Sequence, residues 1–92
     1  MAYDETNIFA KILRGEIPNK TIYEDDHVLA LHDIYAKAPV HALVIPKGRY
    51  IDIVDFGANA SSEEITAFWR AVSKVATDLG ISETGFRSIA NT

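Results

Sequence analysis

The segment from Ser61 to Gly80 constrains the fold more than any other part of this chain. Ser61 and Glu64 form an S-x-x-E capping box, and Ala60 with Ile65 fits the hydrophobic staple. Ile65, Phe68, Trp69, Val72, Ala76 and Leu79 then recur at helical spacing, and Gly80 followed by Ile81 is a Schellman-type stop. A helix with one apolar stripe has to lay it on a second layer. The candidates for that layer lie upstream. Thr21-Ile22-Tyr23 and Val28 to Ile34 read as strands joined by the polar turn Glu24-Asp25-Asp26-His27, a connection short enough to force an antiparallel hairpin.

Val40 to Pro46 is a third strand, with Val40, Ala42 and Val44 on one face and His41, Leu43 and Ile45 on the other. Both faces are apolar, which predicts a central strand covered on both sides. Phe86 to Ala90 alternates as a last strand does. Near the start, Asn7 can cap a short helix over Ile8 to Arg14 that Gly15 stops, with Ile8, Phe9, Ile12 and Leu13 as its apolar stripe. Residues 47 to 60 fit either strand-like alternation around Asp52 or a short helical turn. The expected fold is α+β: one domain over residues 1–92, with an antiparallel sheet of about four strands and two helices against it. Asn91-Thr92 reads as the beginning of a turn, so a further strand-sized piece is expected beyond it.

Composition narrows the function classes. The 92 residues carry 13 acidic against 9 Lys and Arg side chains, a formal charge of −4, and are 48% hydrophobic with no Cys. An acidic chain lacks the basic stripe that nucleic-acid binding needs, so no nucleic-acid partner is expected. No apolar run approaches the roughly 18 residues of a membrane span, and the acidic Met1-Ala2-Tyr3-Asp4-Glu5 opening is not a signal peptide, so a cytoplasmic location is expected. Domains this small often rely on disulfides, metals or a partner subunit. Without Cys, oligomerisation is the remaining support.

The residues offer little catalytic chemistry on their own. His27, His32 and His41 are the three histidines, with no G-x-S-x-G elbow, no Gly-rich phosphate loop and no paired His at metal-ligand spacing. His27, in the hairpin turn, is expected to be solvated. His41, on a face with Leu43 and Ile45, is expected to be a core histidine with a backbone partner. His32 and Asp33 close a strand, a place for ligand groups or for an ordinary hydrogen bond. Lys37, Lys47 and Arg49 read as solvated charges flanking a strand.

Three blocks in register resemble the histidine triad (HIT) family: Asn7 to Pro18, then Tyr23 to Asp26 with Leu29 to Ile34, then Ala38 to Lys47. The helix ending Asp78-Leu79-Gly80 also fits, so the similarity runs from Asn7 to Asn91. The resemblance implies a hydrolase or transferase acting on the α-phosphate of a purine nucleotide, of phosphoramidate or dinucleotide type. The middle His of a C-terminal H-x-H-x-H stretch would be the nucleophile, and that stretch does not occur in these 92 residues. Turnover is therefore expected of an intact parent protein and not of residues 1–92 alone, where His41 is at most an auxiliary.

The same resemblance implies a nucleotide site made of Phe9, Ile12, Leu31, His32, Asp33, Ile34, His41 and Asn91. Asp33 would take the two ribose hydroxyls with its two acceptor oxygens. Phe9, Ile12, Leu31, His32 and Ile34 would enclose the base, with core packing the competing role for Phe9, Ile12 and Ile34. His41 would assist phosphate binding or orient a triad member. Asn91 would contact the phosphate or ribose region. A homodimer is also implied, with the helix bearing Phe68, Trp69 and Val72 near its interface. The structural zinc site of many bacterial relatives is not expected here, because Ala10 and the absence of Cys remove its ligands, and no cofactor is expected. The alternative is a non-catalytic module that binds nucleotide or a partner protein.

Overall fold

The computed structural model describes residues 6, 8–16, 19–33 and 41–90, with Ile8 and Phe9 described at the backbone alone. The first helix, α1 (Ile8–Leu13), ends as the glycine signal predicts. Gly15 adopts φ +79°, so its N–H reaches the Ile12 carbonyl at 3.0 Å and the Glu16 N–H reaches that of Lys11 at 3.0 Å. Strands β1 (Thr21–Glu24) and β2 (Val28–His32) form the antiparallel hairpin. Its turn is held by one side chain: an Asp25 carboxylate oxygen accepts the N–H of His27 at 2.8 Å and of Val28 at 2.9 Å.

Strand β3 (Ala42–Pro46) pairs antiparallel with β2, from Val28 opposite Pro46 to His32 opposite Ala42. The order is β1-β2-β3, so β2 is the central strand and β3 is half-buried along its length. That corrects the expectation for Val40 to Pro46. Apolar character on both faces reports what covers a strand above and below, not whether both its edges are paired. Residue 40 lies outside the described residues.

The two faces of the sheet are covered by different helices. On one, Leu29 and Leu31 pack with Ile12 of α1, joined by Leu13, Leu43 and Ile45. The other carries Val28 and Ala30, both 0% exposed, and falls to α3 (Ser62–Asp78), which packs against all three strands. The capping box of α3 is present in both directions: the Glu64 N–H donates to Ser61 Oγ, and the Ser61 N–H donates to the Glu64 carboxylate, each at 3.1 Å. Gly80 at φ +75° closes it, with Gly80 N–H to Thr77 O and Ile81 N–H to Ala76 O both 3.1 Å. The buried stripe of α3 is Ala71, Val75 and Ala76, small residues that let helix and sheet approach closely, while Trp69 turns outward, 54% exposed.

Between β3 and α3 the ambiguous segment resolves as a third helix, α2 (Ile53–Asn59), one more than the two expected. Asp52 caps it by accepting the Asp55 N–H at 2.8 Å. Its Phe56 ring lies 5.2 Å from both Tyr50 and Phe68, so an aromatic chain ties α2 to α3. The fold is α+β as expected, but the sheet has three strands among the described residues rather than about four. Phe86 to Ala90 has strand-like alternation and no ladder partner among the described residues, and it runs exposed with Phe86 at 52% and Ile89 at 68%. Alternation supplies faces, not a neighbouring backbone. No helix among the described residues is long and apolar enough to cross a membrane.

Three carboxylates are held in their charged form by this local chemistry. Partial burial pushes Asp25 up, but the amides of His27 and Val28 and the Tyr23 hydroxyl outweigh it and bring its pKa below the ordinary value. The Ser61 amide, then the Tyr50 hydroxyl, lower Glu64, and the Ile51 amide and Asn59 side chain lower Asp55. A depressed folded-state pKa adds stability that is present above the unfolded value and lost as pH falls through the folded one. The urea midpoint is therefore expected to hold between pH 6 and 8 and to decline below about pH 4. An equal midpoint at pH 3 and pH 7 contradicts this.

Candidate functional site

The β2–β3 register continues one step past the last paired residues. The Asp33 N–H donates to the His41 carbonyl at 3.0 Å, placing the two residues directly opposite each other. Because side chains alternate along a strand, Asp33 and His41 share the face of Leu29, Leu31, Leu43 and Ile45. The cross-strand rows on that face thus run Leu29 with Ile45, Leu31 with Leu43, and then Asp33 with His41. The packed apolar face ends in an acid beside an imidazole. His41 Nδ1 lies 3.3 Å from Asp33 Oδ2, with the side chains 47% and 22% exposed respectively. That distance is an electrostatic contact, longer than a good hydrogen bond.

This geometry sorts the expected site residues. Ile12 and Leu31 lie together in the buried cluster on the same face as Asp33. His32 does not join them: the pleat sends it to the opposite face, exposed at the end of β2. His41 is brought to Asp33, and it is not the core histidine that its apolar face predicts. Leu43 and Ile45 pack against the cluster of Ile12, Leu29 and Leu31, and the imidazole one row further on is exposed. Phe9 is described only at its backbone, and Ile34 and Asn91 lie outside the described residues.

An open depression lies elsewhere, away from Asp33 and His41. Tyr23, Asp25 and His27 of the hairpin face Ser62, Glu63, Thr66, Ala67 and Arg70 of α3 across an open depression of about 470 Å³. His27 Nε2 is 3.3 Å from Glu63 Oε1, so the residue read as simply solvated links turn to helix. Sequence reasoning missed this because the two residues are far apart along the chain. Lys47, read as a solvated charge, meets Glu24 across the sheet at 2.7 Å. Lys37 lies outside the described residues. Among the described residues no three His, Asp or Glu side chains gather to hold a metal ion.

Comparison with known proteins places these features in context. The HIT domain family model matches residues 14–92. An uncharacterized 13.2 kDa HIT-like protein of Azospirillum brasilense is 53% identical over 89 residues, covering 97% of this chain and 73% of that protein. The purine nucleoside phosphoramidase of Escherichia coli K12 is 41% identical over 91 residues, covering 96% of this chain and 73% of the enzyme. Among solved structures, a HIT family hydrolase from Clostridium thermocellum superposes with a TM-score of 0.82 at 40% identity, over 97% of this chain and 76% of that one.

Proposed function

The chain belongs to the HIT family, and from that premise we propose that it binds a purine nucleoside monophosphate or related nucleotide at the end of the β2–β3 ladder. In this reading the Asp33 carboxylate accepts hydrogen bonds from the two ribose hydroxyls, a charge-assisted and bidentate match. The base lies toward α1, over Ile12 and Leu31, and Phe9 and Ile34 are proposed as base contacts on the family resemblance alone. The phosphate points away from Asp33, since two like charges repel. The single observation that carries the proposal is the row Leu29–Ile45, Leu31–Leu43, Asp33–His41, in which an apolar surface ends in a half-buried acid.

The reaction class we propose is hydrolysis or transfer at the α-phosphate of a phosphoramidate or dinucleotide. The nucleophile is a His of an H-x-H-x-H series, and His27, His32 and His41 do not form one. Turnover therefore belongs to a polypeptide that includes that series, and these 92 residues supply the nucleoside end. The identity to a purine nucleoside phosphoramidase supports the substrate class. The reading also includes a cytoplasmic homodimer. The outward Trp69, which borders a shallow groove with Val72, Ala76 and Phe86, supports the dimer.

Titrating AMP into isotopically labelled protein and following backbone amides tests the site. The largest shifts are expected at Leu31 to Asp33 and His41 to Leu43. Shifts confined to Tyr23 to His27 and Ser62 to Arg70 would instead move the site to the depression beside α3.

A further inference from the structure

We draw no further inference here: the strongest candidate, the open depression where Tyr23, Asp25 and His27 of the hairpin face Glu63 and Arg70 of α3, carries none, since its carboxylates are already engaged by the hairpin's own amides and by His27, and nothing in the structure shows what covers it.

Discussion

Leu29→Ala is expected to lower the unfolding free energy by about 2–5 kcal/mol, the range for emptying a packed leucine site. Leu29 is buried on the central strand, opposite Ile45, within the cluster that Ile12 and Leu31 complete. The hole cannot collapse easily, because β2 is held by ladders on both edges and by helices on both faces. Small domains have only about 5–15 kcal/mol in total, and short chains bury a smaller share of their surface. One truncation therefore removes a large part of the stability. The check is the urea midpoint at constant slope, with Val54→Ala on the exposed surface of α2 as the control. The control is expected to stay within about 0.5 kcal/mol of wild type. Equal shifts in the two variants would contradict the placement of the core.

The second large effect falls on binding. Asp33→Asn keeps the size of the side chain and one acceptor oxygen but removes the charge and the second equivalent acceptor. If the carboxylate receives both ribose hydroxyls, the substitution should weaken adenosine by about 1–3 kcal/mol, or roughly 5- to 150-fold in Kd. Folding should change little, since the Asp33 backbone bond to His41 does not involve the side chain. Titration calorimetry reads the first quantity and the urea midpoint the second. An unchanged Kd removes Asp33 from the site.

What the sequence disclosed followed the range of each interaction. The capping box of Ser61 and Glu64 and the glycine stops at Gly15 and Gly80 involve residues a few positions apart, and all three form as read. The hairpin is equally local, since Asp25 closes its turn by itself. The edge position of β3 and the unpaired course of Phe86 to Ala90 among the described residues depend on which backbone lies alongside, and no side-chain pattern encodes that. Alternation placed Leu43, Ile45 and His41 on one face correctly. It could not report how far α1 reaches along that face. Ile12 of the six-residue helix packs in the cluster with Leu29 and Leu31, against which Leu43 and Ile45 also pack, and His41 is exposed beside Asp33. His27 and Glu63 escaped notice for the converse reason, as each looks like an ordinary surface charge until the hairpin is laid beside α3.

The family resemblance marked Asp33 and His41 as candidates separately. The structure adds that they form one cross-strand pair at the margin of the apolar face. In the proposed reading that juxtaposition gives the site a direction, with the base over the covered end and the sugar at the polar end.

The central claim is that one carboxylate recognises the sugar, and a thermodynamic cycle of two ligands on two proteins tests it most directly. Adenosine and 2′,3′-dideoxyadenosine are titrated into wild type and Asp33→Asn under identical buffer conditions. Deleting the hydroxyls should weaken binding to wild type at least fivefold, taken as the lower bound of a lost charge-assisted pair, and should cost much less in the variant. The same loss in both proteins would show that the hydroxyls are read elsewhere, and the account would be wrong at its centre.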